Sequence, residues 1–285
     1  MDGSQPLSDM HAVLRHRMAG CADARLAAIV GDLVEAIGGV IQTHRVSRAD
    51  LQKVVRFATD VGHASKEKRN EWVLLADAMG VTAAVETSGA ERPCGATPQT
   101  LLGPFFREGA PRKRSGDCLS IDGVGRPLTF AARVCDLDGD PIAGACVDVW
   151  HANGEGKFEN QDPDSQPEFN LRGEFETDRQ GSVTFHSVRP AGYRLPDDGP
   201  VAEVMRRLGL SMWRPAHIQF RITAAGFEPL VTHVFDRDDP QIDADALFCV
   251  SPALLADFGD PASPEASQVR FTFKLPRSRP GIPSN

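Results

Sequence analysis

The chain contains no run of about 18 apolar residues, so nothing in it reads as a membrane-spanning helix. It contains no C-x-x-C pair. Cys21, Cys94, Cys118, Cys135, Cys146 and Cys249 are scattered, which argues against a thiolate zinc site. Its 31 Lys and Arg residues form no long stripe and are outnumbered by 39 Asp and Glu. The resulting net charge of −8 argues against broad nucleic-acid binding and mainly favours solubility. The opening stretch Met1 to Gln5 lacks the basic-then-apolar layout of a secretory leader, so free thiols in a reducing cytoplasm are expected. No internal repeat is evident. The scarcest chemistry-bearing residue is tyrosine: there is one, Tyr193, in 285 residues.

What is present is an ordinary globular composition, 41% hydrophobic and 25% charged, in a chain long enough to bury a sizeable core. From about residue 20 to about residue 85 the apolar positions recur at helical spacing. Leu26, Ile29, Val30, Leu33 and Ile37 are expected to form a buried stripe. Ser47-Arg48-Ala49-Asp50 reads as a capping box opening a second helix through Leu51, Val54 and Val55. Trp72, Leu75 and Met79 carry the pattern to a stop at Gly80. The region from Thr87 to Thr97, with Gly89, Pro93 and Gly95, reads as a linker. Short β-rich runs follow: Leu128–Val134, Cys146–Trp150, Ser182–His186, His217–Ile222, Leu230–Phe235 and Val269–Phe273. Frequent turn signals between them predict a β-sandwich. The expected organisation is mainly β, with a helical region over 1–90 and a sandwich domain over 97–285.

Three segments carry more than fold. Val147-Asp148-Val149-Trp150-His151-Ala152-Asn153 leads into Gly156-Lys157-Phe158. Arg189-Pro190-Ala191-Gly192-Tyr193 precedes Pro196 and Gly199-Pro200. Arg214-Pro215-Ala216-His217-Ile218-Gln219-Phe220 completes the set. In this order, with Leu102-Gly103-Pro104-Phe105-Phe106 and Leu171-Arg172-Gly173, they resemble the intradiol ring-cleavage dioxygenases over roughly residues 97 to 275. Thr232-His233-Val234-Phe235 and the run Asp243 to Phe248 look most like the hydroxyquinol branch. The resemblance implies a β-sandwich catalytic domain, an N-terminal helical dimerisation region, a homodimer, and Fe(III) held by two tyrosines and two histidines. A hydroxylated aromatic of catechol or hydroxyquinol type would be the small-molecule partner.

The chemistry explains that ligand set. Fe(III) is hard and highly charged, so two phenolates with hydroxide neutralise it, and two imidazoles complete the shell. A His-x-His pair on one strand sends both rings to the same face. Here Tyr193 and His217 keep their places, whereas Phe158 stands where the family has tyrosine and Gln219 where it has histidine. Phenylalanine has no donor atom, and an amide is a poor one for Fe(III). The ligand count therefore implies weak iron binding or none. Glu155, Glu159 and Asp162 flank Phe158. They read as solvated loop charges, with replacement of the missing oxygen ligand as the alternative. His151 is not a ligand position in the family and reads as a residue supporting the site from behind its ligands or as structural.

By the resemblance, Arg214 stabilises negative charge on the attacked ring, a task a guanidinium performs without metal. His233 lines the site as a hydrogen-bond partner or acid/base, or else is an inward-facing strand histidine bonded to the backbone. Leu102, Pro104, Phe158 and Gln219 are the candidate substrate contacts. The leading expectation is a divergent enzyme of this family acting on a hydroxylated aromatic or a related cyclic compound. The alternative is a non-catalytic scaffold that keeps the aromatic site and the dimer interface.

Overall fold

The structure is a computed structural model that describes residues 7–66, 69–89, 92–260 and 266–278. The segment Met1 to Gln5 lies outside the described residues. The chain divides into two compact units, residues 1–63 and 64–285. The composition change near Thr87 coincides with the end of the helices; the division between units falls earlier.

The first unit is helical: α1 (Leu7–Met18), α2 (Ala24–His44) and α3 (Arg48–Ala64), which runs one residue past it. The Asp23 carboxylate caps α2 by accepting from the Leu26 N–H at 2.8 Å. The box at α3 forms as the sequence predicts. Ser47 Oγ accepts from the Asp50 N–H at 3.2 Å, and the Asp50 carboxylate accepts from the Ser47 N–H at 3.2 Å. The expected buried stripe on α2 does not form within the chain: Leu26, Ile29, Leu33 and Ile37 are all at least half exposed, as are Leu51, Val54 and Val55 on α3. The periodicity is real, but among the described residues the apolar side chains it lines up stay exposed.

The second unit opens with α4 (Glu71–Ala78) and α5 (Val81–Gly89), separated by Gly80 at φ +72°. The strands are β1 (Pro127–Asp136), β2 (Cys146–His151), β3 (Arg172–Glu176), β4 (Ser182–Val188) and β5 (Tyr193–Arg194). After α6 (Pro200–Arg207) come β6 (Trp213–Arg214), β7 (His217–Thr223), β8 (Leu230–Asp236), β9 (Leu255–Ala256) and β10 (Ser267–Leu275). One sheet has the order β10-β1-β4 and the other β3-β2-β7-β8-β9, while β5 and β6 form a small ribbon. Each of the six runs read as strands lies within one. The two-residue strands β5, β6 and β9 are too brief to show alternation, and β3 (Arg172–Glu176) is marked in the sequence only by the Leu171-Arg172-Gly173 motif.

The core lies between the two larger sheets. Phe130 of β1 stacks on Phe185 of β4 at 5.2 Å and meets Phe220 of β7 at 5.1 Å. Val147, Val149, Ile218, Ile222 and Val234 from the opposite sheet share this buried cluster. Inward residues of both sheets thus make one apolar layer, as a sandwich requires.

Two loops are fixed against this frame. The turn after β2 lies on the segment leading into β5, where the Ala191 N–H donates to the Asn153 carbonyl at 3.1 Å. Gly156 sits there at φ +76°, and a Cβ at this position would come within 2.6 Å of the Gly192 carbonyl oxygen. Only glycine allows this approach, which sets Phe158 beside Tyr193. The segment before residue 106 runs along β8: the Thr100 N–H donates to the Val231 carbonyl, and Thr232 Oγ1 to the Pro98 carbonyl.

At the end of β2, His151 is buried, its ring nitrogens engaged by the Ala152 carbonyl and the Ser187 hydroxyl, each at 2.7 Å. It is structural, as expected. Burial lowers its pKa to about 4. The folded state keeps the ring neutral while the unfolded chain protonates it near pH 6.5. Below that pH the unfolded state binds the extra proton, so this contribution to stability is lost as pH falls from about 6.5 toward 4. The expected slope is about 1.4 kcal/mol per pH unit in that window. Denaturant titrations of the parent and of His151→Gln between pH 7 and 5 check it: the variant should lose that much of the slope.

Candidate functional site

The β7–β8 register sets the site. Gln219 pairs opposite His233, and His217 opposite Phe235. His217 and Gln219 are two residues apart on one strand and share a face. Arg214 arrives from the ribbon, where it pairs with Tyr193. All five residues, Tyr193, Arg214, His217, Gln219 and His233, are buried. The His217 ring lies 5.6 Å from the Tyr193 ring and 4.9 Å from the His233 ring, centroid to centroid.

The hydrogen bonds assign most protons. The His217 Nδ1–H donates to the Pro215 carbonyl at 2.7 Å, so Nε2 carries the lone pair, and that atom has no partner. The Arg214 Nε–H donates to Asp245 at 3.1 Å, and Arg214 Nη1 faces His233 Nε2 at 3.5 Å. A guanidinium only donates, so His233 Nε2 accepts and its Nδ1–H donates to Thr100 Oγ1. Gln219 Nε2 lies 2.8 Å from the same His233 nitrogen, so the amide presents its N–H there. Gln219 Oε1 is then left buried and without a partner, as is Arg214 Nη2.

Electrostatics follow from burial. Desolvation, with Arg214 beside both rings, pushes the pKa of His217 and of His233 well below the ordinary histidine value. Burial raises the Tyr193 phenol against the downward pull of Arg214. Burial works against the Arg214 charge, but Asp245 outweighs it and holds the guanidinium above its ordinary value. The cluster therefore holds one compensated cation–anion pair and neutral groups around it.

Phe158 is buried, stacked on Phe105 at 4.3 Å and set edge-on to Tyr193 at 5.5 Å. The flanking acids are all engaged by cations. Glu155 and Asp162 pair with Lys157 at 3.3 and 3.5 Å. Glu159, unlike a solvated loop charge, is buried and pairs with Arg107 and Arg172, each at 2.7 Å. Desolvation raises its pKa, but the two arginines outweigh that and hold it below the usual range. Leu102 and Pro104, two of the candidate contacts, are exposed. It is their neighbours that face the cluster: Thr100 on His233, Gly103 with its Cα side toward the Gln219 amide, and Phe105 on Phe158. Sequence reasoning missed Thr100, Phe105 and Asp245. Phe105 and Asp245 lay inside quoted motifs, while Thr100 lay just outside one. Asp77 was also missed: it accepts from Thr82 Oγ1 at 2.5 Å, and burial raises its pKa against the pull of Arg214.

This donor set does not fit a ferric ion. Phe158 offers nothing, and the Gln219 amide is committed to His233 through its nitrogen. Of the family's four ligand positions, only Tyr193 and His217 therefore keep their donor type. One imidazole nitrogen and one neutral amide oxygen remain free. Among the described residues, no three His, Cys, Asp or Glu side chains are grouped to hold a metal ion.

The chain matches two family descriptions end to end: "Catechol dioxygenase N terminus" over residues 23–97 and "Dioxygenase" over residues 101–276. It is 40% identical to a hydroxyquinol 1,2-dioxygenase of Rhizobium sp. (strain MTP-10005), over 85% of this chain and 82% of that one. It is 35% identical to a 6-chlorohydroxyquinol 1,2-dioxygenase of Cupriavidus pinatubonensis, over 85% and 87%. Among solved structures, the hydroxyquinol 1,2-dioxygenase from Pseudomonas putida DLL-E4 superimposes with a TM-score of 0.90 at 30% identity, covering 95% of this chain and 99% of that one.

Restoring the donors tests the geometry. Phe158→Tyr with Gln219→His should raise ferric-iron affinity by several kcal/mol, and neither change alone should approach that effect, because ligands in one shell are coupled. Metal content and a visible phenolate-to-iron band report it. A folded double variant with no more iron than the parent would show that the two positions do not converge as described.

Proposed function

This chain belongs to the intradiol ring-cleavage dioxygenase family, and on that premise we propose that it is an enzyme acting on a catechol- or hydroxyquinol-like aromatic. The single observation that carries the reading is the convergence of Tyr193, Arg214, His217, Gln219 and His233 in one buried cluster beside the Phe105–Phe158 stack. A flat ring fits against such aromatic faces, and a few polar groups fix its orientation. Similarity to hydroxyquinol 1,2-dioxygenases of known sequence and structure supports the same substrate class.

The four-ligand ferric centre is not part of this proposal. In its place, Arg214 orients and polarises a ring hydroxyl by donating from its Nη2, and the neutral His217 accepts a hydrogen bond from the ligand at Nε2. Asp245 keeps Arg214 charged and aimed, and Phe158 excludes water on the side where the family places a tyrosine.

A second reading is favoured by two observations. Gln219 is tied to His233, and Phe158 is packed into a complete aromatic stack, as a site converted from chemistry to binding would be. Oxygen uptake and product analysis with catechol and hydroxyquinol separate the two. Ring-opened product above the uncatalysed rate, reduced at least tenfold in His217→Ala, supports the enzyme. Saturable binding without any product supports the binding module.

The exposed faces of α2 and α3 lead to a further part of this proposal. Leu26, Ile29, Leu33 and Ile37, with Leu51, Val54 and Val55, are taken to be covered by a second copy of the chain. Light scattering at micromolar concentration should give a dimer mass, and Leu33→Glu with Ile37→Glu should lower it to the monomer. A monodisperse monomer in the parent would rule the homodimer out.

A further inference from the structure

Three buried polar atoms in the cluster have no hydrogen-bond partner: Arg214 Nη2, His217 Nε2 and Gln219 Oε1. The first can only donate. The second can only accept, because the Nδ1–H is spent on the Pro215 carbonyl. The third can only accept, because the amide nitrogen faces His233. Buried polar groups are paired in folded proteins, so three such atoms in one cluster point to a ligand with complementary groups. That ligand donates twice and accepts at least once. Two hydroxyls side by side do this, since each oxygen donates through its proton and still accepts. A carboxylate does not: it would satisfy Arg214 and set its oxygens against two lone pairs.

The orientation of Gln219 is not accidental. Arg214 Nη1 and Thr100 together leave His233 with its proton on Nδ1 and its lone pair on Nε2. That lone pair takes the Gln219 N–H and turns Oε1 inward. Thr100 is itself held by its backbone bond to Val231. Thr100 and His233 are therefore positioning residues, acting through Gln219. The Arg214 charge is already matched by Asp245, so the site has no spare cation to hold a ligand anion. The Phe158 ring supplies an apolar wall.

We infer that the cluster takes an aromatic vicinal diol in its uncharged form, held by hydrogen bonds to His217 Nε2, Gln219 Oε1 and Arg214 Nη2 instead of by chelation to a metal. This rests on the aromatic-ligand reading proposed above and states how that ligand is held. The position opened by the change to Gln219 has become a hydrogen-bond acceptor fixed by the Thr100–His233 pair.

Calorimetry on the full chain, with and without chelator treatment, tests it with catechol, 2-methoxyphenol, 1,2-dimethoxybenzene and benzoate. Catechol should bind equally well in both preparations. Each O-methylation should weaken binding about tenfold or more, because it leaves a buried acceptor unpaired. Benzoate should bind more weakly than catechol. Gln219→Leu should shrink the gap between catechol and 2-methoxyphenol. Thr100→Val should weaken catechol while Thr100→Ser restores it, a pattern that loss of packing alone does not give. Catechol binding that appears only with added iron would overturn this inference and leave the aromatic-ligand reading standing. Equal binding of catechol and 2-methoxyphenol by the parent would do the same. No binding of any aromatic in either preparation would overturn both. The ligand series needs only the parent protein, so a variant that fails to fold does not remove the test.

Discussion

The site depends on one register: Gln219 of β7 opposite His233 of β8. Side chains on a strand alternate faces, so a slip of one residue would turn His217 and Gln219 away from the cluster together. The register is fixed by burial on the other face. Ile218, Phe220 and Ile222 enter the apolar layer between the sheets, opposite Phe130 and Phe185. The apolar core and the polar cluster are thus two faces of the same strand. The core supplies the driving force, and the cluster is carried into position by it. A buried group of two histidines, an arginine and an amide does not assemble on its own account, since desolvating such groups is unfavourable until each is paired.

Charge balance is the second constraint. Arg214 is fully buried, and its isolated charge would be expensive there. Asp245 compensates it, and the backbone N–H groups of Leu247 and Cys249 in turn donate to Asp245. Burial keeps the two histidines neutral, and the Arg214 charge beside them acts in the same direction. The pairing with Asp245 also alters the part that the family resemblance gives to Arg214. A guanidinium already matched by a buried carboxylate acts as a directed donor more than as a free positive charge.

Much of this was legible in the residues. The six strand runs alternate or are continuously apolar, and the Ser47–Asp50 box carries its own geometry, so both the sandwich and the α3 start could be read. The site residues were found through ordered motifs, not through composition; a lone Tyr193 or His217 would have read as core. What stayed hidden has physical causes. Thr100 meets His233 only because the segment before residue 106 lies along β8, a contact across 133 positions that no local pattern encodes. Leu102 and Pro104 were chosen from the same segment, but its exposed positions alternate with the ones that touch the cluster. The α2 stripe was misread as buried because periodicity reports an apolar face and is silent on whether the covering surface comes from the same chain.

The substitution of an aromatic carbon for a phenol oxygen at Phe158 is absorbed by its surroundings. Phe105 stacks on it almost in parallel, at 19° between planes, and Tyr193 meets it edge-on. The next residue, Glu159, is gripped by Arg172, whose Nη1 also donates to the Phe105 carbonyl at 2.5 Å, and by Arg107 two positions further along. One buried ion-pair network therefore ties the Phe158 turn to the segment that bears Phe105, independently of anything bound at the site. Where a tyrosine ligand would be anchored by its metal, Phe158 is anchored by its neighbours in sequence and by ring stacking. That makes the Phe158 wall rigid without a metal, and rigidity is what a site needs when three hydrogen bonds, and no ion, must define the pose of its ligand.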